Sequence, residues 1–148
     1  MDSIWMFSGG WDLQASYGIT KSEFKKVSAL SSLVGKQLPF VPDQSVSISL
    51  GHKLDNGLSY NIGSRTVGNT YFWDSTGINT ADVIDTYTLI DANIHYAYND
   101  WDFSLFGTNL TDEEYYTSLV SNLGFGNGNA PGITGSPRVV GLSISKEF

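Results

Sequence analysis

The chain has no cysteine, which removes disulfides, thiolate metal sites and cysteine nucleophiles. It is poor in cations: Lys and Arg total 8 against 15 Asp and Glu, for a net charge of −7. Phosphate binding needs clustered Lys and Arg, so nucleic acid is not a partner. Long apolar runs are missing too. No stretch approaches the ~18 residues that a membrane-spanning helix requires, although strands that cross a membrane give a much weaker signal and escape such a scan. No Ser-His-Asp arrangement and no paired-carboxylate constellation emerges, so no catalytic residue is assigned and the chain does not read as an enzyme. His52 and His95 lack any carboxylate spacing resembling a zinc motif, and neither a metal ligand nor a cofactor is expected.

What is present is a strand composition. The 148 residues carry 8 Tyr, 8 Phe, 4 Trp and 16 Gly, with abundant β-branched residues. From Trp11 to Thr20 the alternation is clean: Trp11, Leu13, Ala15, Tyr17 and Ile19 share one face, and Asp12, Gln14, Ser16, Gly18 and Thr20 share the other. Strand side chains point to opposite faces with period two, so this is an amphipathic strand. Val46, Ile48 and Leu50 repeat the pattern, as do Leu58, Tyr60 and Ile62, and the longer series Thr88, Ile90, Ala92, Ile94, Tyr96 and Tyr98. Trp101, Phe103 and Leu105 form another face, and Val140, Leu142 and Ile144 form the last, in a stretch that runs from Arg138 to a terminal Phe148. Residues 3–7 add a partial strand.

The connections alternate in length: short at 8–10, 55–57 and 99–100, long at 27–43, 74–85 and 117–137. Asn56-Gly57 suits the positive φ angles of a hairpin turn, whereas Pro39 and Pro42 exclude a central strand from the first long connection. A soluble sandwich has no reason to gather every long loop at one end. An outer-membrane barrel does, because its periplasmic turns are short and its extracellular loops long. Trp11, Tyr60, Tyr98, Trp101 and Phe148 fall near the short-turn end, and Tyr71, Phe72, Trp73, Tyr87 and Tyr115 near the other. Two such belts are what the two membrane–water interfaces select.

Six strands plus a partial one do not match the even number of a bacterial single-chain barrel, which must close so that no backbone edge meets lipid. Met1-Asp2-Ser3 opens no secretory signal, which an outer-membrane protein needs. The expected fold is therefore all-β, an antiparallel meander of about six to seven amphipathic strands forming the C-terminal part of a larger transmembrane barrel.

Three motifs resemble TonB-dependent outer-membrane receptors. Gly35-Lys36-Gln37-Leu38-Pro39-Phe40-Val41-Pro42 is similar to the family's G-x-x-L-P-x-x-P loop before a late strand. Asn109-Leu110-Thr111-Asp112-Glu113-Glu114-Tyr115-Tyr116 is similar to its N-L-x-D-x-x-Y element in the penultimate strand. Gly135-Ser136-Pro137-Arg138 is similar to its G-x-P-R approach to the last strand, and Thr86 to Ala92 adds support. The resemblance implies a 22-stranded barrel plugged by an N-terminal domain, so that residues 1–148 are a partial barrel domain with the plug and earlier strands outside this sequence. It implies active import of a ferric siderophore or a similarly scarce nutrient across the outer membrane of a Gram-negative bacterium. The implied partners are outer-membrane lipid, the remaining strands and plug, TonB acting through a plug segment, and the outer-membrane assembly machinery. For that machinery, Val140, Leu142, Ile144 and Phe148 match the C-terminal signal. Lys146 stands where an apolar residue is usual, and its stem can stay apolar while the ammonium reaches water.

Arg65 shares a face with Asn61 and Ser59 and is expected to point into the lumen. There it either pairs with carboxylates of the lumen or plug or contacts an anionic chelate; a generally polar lumen favours the pairing role. Asp112-Glu113-Glu114 is a single acidic run, whereas an oxygen-rich metal site needs several converging ligands, so it reads as a solvated strand end. Asn109-Leu110-Thr111 matches a glycosylation triplet but reads as a strand segment matched by chance. Gly124 to Gly135 leads into no helix and lacks the Lys-Ser/Thr ending of a phosphate loop, which leaves a long extracellular loop. Two other functions stand beside the receptor: a small free-standing barrel acting as adhesin or pore, which would need one more strand, and a soluble carbohydrate-binding β-sandwich with Trp73 or Tyr116 as stacking platforms.

Overall fold

The alternating stretches become strands of one sheet. The computed structural model describes residues 1–26, 34–72, 82–119 and 132–147. The strands are β1 (Asp2–Phe7), β2 (Trp11–Ile19), β3 (Gln44–Lys53), β4 (Leu58–Val67), β5 (Thr70–Phe72), β6 (Asp82–Ile84), β7 (Tyr87–Tyr98), β8 (Trp101–Thr108), β9 (Tyr116–Leu119), β10 (Gly132–Thr134) and β11 (Val139–Lys146). No helix occurs among the described residues. Seven strands pair in the order β1-β2-β3-β4-β7-β8-β11, every pair antiparallel, while β5–β6 and β9–β10 form two-stranded ribbons within the long connections. Strand direction reverses at each step, so β1 and β11 run the same way and each keeps one unpaired edge.

Register carries the faces across the whole sheet. Trp5, Leu13, Leu50, Ile62, Ala92, Gly107 and Val140 lie side by side in one row of the apolar face. One residue along, Met6, Asp12, Gly51, Asn61, Asn93, Phe106 and Gly141 make a row of the opposite, mostly polar face. A slip of a single residue would exchange the two faces. Among the described residues the large side chains of the apolar face stand exposed: Ile62 is 50% exposed and Leu142 67%. Buried apolar side chains among the described residues are confined to Phe72, Ile84 and Leu89, the first two in the β5–β6 ribbon. In a two-sheet sandwich the two inner faces would cover one another, whereas the seven main strands here pair into one sheet.

Several details differ from the expectation. The long connections at 74–85 and 117–137 contain parts of the two ribbons, whose strands of three or four residues are too short to show an alternation. Phe72 packs edge-on against Phe40, with ring centroids 4.7 Å apart, and is buried instead of standing in a belt. Tyr87 falls on the polar face because it directly precedes the outward Thr88. Asn109-Leu110-Thr111 is not in a strand: Asn109 has φ 49° and Asp112 φ 56°, left-handed angles incompatible with an extended ladder. Trp73, Phe148 and most of Gly124 to Gly135 lie outside the described residues.

At the short-turn end the ladder continues through the turns. Lys53 N–H donates to the Gly10 carbonyl (2.8 Å), Ala97 N–H to Gly57 (3.0 Å) and Glu147 N–H to Asp100 (2.9 Å). Each hairpin is thus stitched to the strand beyond it. Gly57 has φ 86°, and a Cβ there would run into the Ala97 carbonyl oxygen. Gly57→Ala is expected to cost about 1–2 kcal/mol or more. Gly63→Ala, whose Cβ would sit at an ordinary 3.4 Å from Ser49, should be close to neutral. Urea unfolding of both variants in detergent micelles checks this, and equal stabilities would refute the turn's role.

Candidate functional site

The polar face carries the charges that a molecule crossing or resting on it would meet. Asp2, Asp12, Asp91 and Asp102 share it with Lys53 and Arg65. A shallow concavity there is lined by Gln14, Ser16, Ser49, Arg65 and Asp91. Arg65 lies between Ser47 and Leu89 by register, as its alternation requires. Ser16 and Ser47 bond through their hydroxyls at 2.7 Å. Ion pairs among the described residues are Lys25–Glu23 and Arg138–Asp112, so Arg65 has no carboxylate partner there. Asp91 is engaged differently, its Oδ1 accepting the backbone N–H of Asn109 at 2.9 Å. Nearer the short-turn end, His95 Nε2 meets Asp102 Oδ1 at 2.9 Å.

On the apolar face at the short-turn end, His52 is the centre of an aromatic cluster. Its ring stacks on Trp11 at 3.9 Å and meets Tyr60 edge-on at 5.2 Å. Its Nε2 lies 2.9 Å from the Gly9 carbonyl and its Nδ1 2.7 Å from the Tyr60 hydroxyl. A carbonyl only accepts, so Nε2 carries a proton and, in the neutral ring, Nδ1 accepts from Tyr60. Tyr98, Tyr96, Phe103 and Trp101 continue the band in stacked pairs, and Lys146 Nζ sits 5.4 Å above the Trp101 ring. Trp11, Tyr60, Tyr98 and Trp101 therefore share one face at one end, together with Phe7 by register. The sequence reading missed His52 in this role, although its place in the alternation after Val46, Ile48 and Leu50 is the signal that finds it.

At the other end two of the three motifs meet. Asn109 is 3% exposed, and its Nδ2 donates to the carbonyls of Glu113 (2.9 Å) and Ser136 (3.0 Å) while its Oδ1 accepts from Glu113 N–H (2.8 Å). Asp112 Oδ1 accepts from Arg138 N–H (2.9 Å), and the two side chains approach to 3.6 Å. Leu110 N–H donates to the Ile90 carbonyl of β7, and Gly135 N–H to Tyr115, whose ring stacks on Tyr87 at 4.5 Å. Asn109, Leu110, Asp112, Tyr115 and Arg138 thus form one knot beside Pro137. Gly35, Leu38, Pro39 and Pro42 lie elsewhere: Gly35 bonds Phe24, Phe40 N–H donates to Tyr71, and Pro42 bridges Thr70. Exposed Glu23 in that region hydrogen-bonds Lys25 at 2.6 Å, which holds the carboxyl below its usual range. Val140, Leu142 and Ile144 stand exposed on the apolar face. No group of three or more potential metal-ligating side chains occurs among the described residues.

Residues 4–110 match the family described as TonB dependent receptor-like, beta-barrel. Among solved structures the chain is similar to the ferric yersiniabactin uptake receptor FyuA from Yersinia pestis, at 26% identity and a TM-score of 0.81, over 99% of this chain and 22% of that one. It also shares the fold of the siderophore receptor PiuA from Acinetobacter baumannii (20% identity, TM-score 0.74, 95% of this chain and 20% of that one). The same holds for the ferric-catecholate import receptor Fiu from E. coli K12 (21%, 0.73, 93% and 18%). The chain spans about a fifth of the length of these receptors. They are transport receptors, not enzymes.

The knot makes a prediction. Asn109→Ala would strand one buried N–H and two carbonyls, at an expected loss of about 3 kcal/mol. Arg138→Ala, in a pair whose side chains are about half exposed, should cost less than ~1 kcal/mol. Urea unfolding that ranks the two variants in the reverse order would overturn this division.

Proposed function

Because the chain belongs to the TonB-dependent receptor-like β-barrel family, we propose that it is the C-terminal wall segment of an outer-membrane receptor that imports a ferric siderophore or a similarly scarce nutrient. The observation that carries this reading is the seven-stranded sheet with one continuous apolar face whose side chains stand exposed among the described residues. Members of the family are outer-membrane proteins, and in lipid such a face is a solvent-exposed surface in the ordinary sense. Lipid covers Leu50, Ile62, Ile94 and Leu142, and the band of Trp11, Tyr60, Tyr98 and Trp101 lies at the periplasmic boundary. The edges of β1 and β11 pair with the receptor's remaining strands, since an unpaired backbone group in hydrocarbon costs several kcal/mol. A plug domain rests against the polar face, and TonB drives transport through it. Val140, Leu142 and Ile144, with the terminal Phe148 in the sequence, carry the signal that the assembly machinery reads.

The candidate contact for an anionic group on this segment is Arg65, whose guanidinium meets no carboxylate among the described residues. It attracts an anionic chelate or a carboxylate of the plug. By itself the segment transports nothing: it lacks a closed lumen.

Two measurements test the proposal in the complete receptor. Ile62→Lys, at the middle of the apolar face, should cost about 2–4 kcal/mol and sharply reduce the folded receptor in outer membranes; Asn61→Lys, one residue away on the opposite face, should be tolerated. Equal tolerance of both would remove the lipid-facing assignment. Arg65→Glu should weaken binding of an anionic ferric chelate about tenfold, with a slower on-rate at low salt. Unchanged affinity would leave Arg65 to the plug alone.

A further inference from the structure

Alternation fixes which way each side chain of β11 faces, but it does not fix where β11 stops along β8. Sliding β11 by two residues keeps Val140, Leu142 and Ile144 on the apolar face and exchanges one set of ladder hydrogen bonds for another. Polar and apolar sorting alone therefore leaves several registers open. The observed one places Leu142 opposite Leu105, Gly141 opposite Phe106 and Lys146 opposite Trp101.

We infer that the knot around Asn109 is a register lock for the last strand. Asn109 follows β8 directly, and its buried amide grips the Ser136 carbonyl, three residues before β11 begins. Asp112 takes the Arg138 N–H, one residue before β11. Both grips act on backbone groups at fixed chain positions, so a two-residue slide breaks both and leaves one N–H of a buried amide unsatisfied. The lock is tied to the rest of the wall through Asn109 N–H to Asp91 and Leu110 N–H to Ile90, both on β7. Two contacts further down agree with the same register. A Cβ at position 141 would meet the tip of the Phe106 ring, so Gly141 lets that ring lie over the strand where it does. Lys146 sits over Trp101.

The consequence reaches the free edge of β11. In a closed barrel the strand registers sum to the stagger with which the last strand meets the first, so a slipped β11 would present its partner strand with a ladder displaced by two residues. That consequence rests on the receptor-barrel reading. The lock itself does not.

Disulfide trapping tests it, in the complete receptor in outer-membrane vesicles, since this chain brings no cysteine of its own. Directly opposed strand positions suit a disulfide, whereas positions two residues out of register are about 7–8 Å apart and do not. Leu105→Cys with Leu142→Cys reports the observed register; Leu105→Cys with Val140→Cys or with Ile144→Cys reports slipped ones. With Asn109 intact only the first pair should oxidise. Asn109→Ala should raise the slipped crosslinks roughly tenfold, the change produced by losing about one net hydrogen bond. Should Asn109→Ala fail to accumulate, Asp112→Ala takes its place with the same two readings. Slipped crosslinks support the lock; the observed pair alone, unchanged, overturns it. The same crosslinking pattern in protein recovered from the soluble fraction, with none in the vesicles, would keep the lock and sink the barrel reading.

Discussion

Hydrogen bonding between neighbouring strands is what this sheet has in place of a core. Among the described residues the buried apolar side chains are Phe72 and Ile84, in the β5–β6 ribbon, and Leu89. The seven main strands are held edge to edge by ladders that run from β1 to β11 and continue through the hairpin turns. A hydrocarbon solvent, which offers no competing hydrogen-bond partners, demands ladders of this kind. The exposed apolar face and the unbroken ladders are therefore two sides of one requirement. Polar groups on the apolar face follow the same rule: the hydroxyls of Thr66 and Thr88, which alternation turns outward, bond each other at 2.8 Å.

The two ends of the sheet are fastened by different chemistry. At the short-turn end the fastening is aromatic, with His52 joining β3 to the first turn through Gly9 and to β4 through Tyr60. At the long-loop end it is a buried amide with backbone partners. The first arrangement suits a boundary where rings lie flat against a half-polar medium. The second is indifferent to the medium, because Asn109 is covered. Between them the strands need only alternate.

That division explains what could be read from the sequence. Face assignment was legible in β2, β3, β4, β7, β8 and β11, since Leu13, Leu50, Ile62 and Val140 declare themselves by spacing alone, whereas residues 3–7 showed a strand but no face. It failed for Tyr87, which a proximity argument put in a belt and a single step of alternation puts on the other face. The ribbons β5–β6 and β9–β10 were illegible because three or four residues carry no period. Asn109 and Arg138 were found as separate motifs, but nothing in their spacing says that one holds the other's backbone neighbourhood. That contact depends on how the intervening connection returns, which is a tertiary fact. Arg65 was placed correctly on the polar face, while its lack of a carboxylate neighbour could be seen only once the strands were side by side.

The shared direction of β1 and β11 has a consequence in plain arithmetic. Joining these two edges directly, within one copy or head to tail between copies, would create a parallel junction in a sheet that otherwise contains none. A wall that closes with antiparallel neighbours throughout must insert an odd number of strands between them. Added to the seven seen here, any odd number gives an even total. The even strand count of bacterial single-chain barrels can thus be reached from this sheet without altering one of its own pairings.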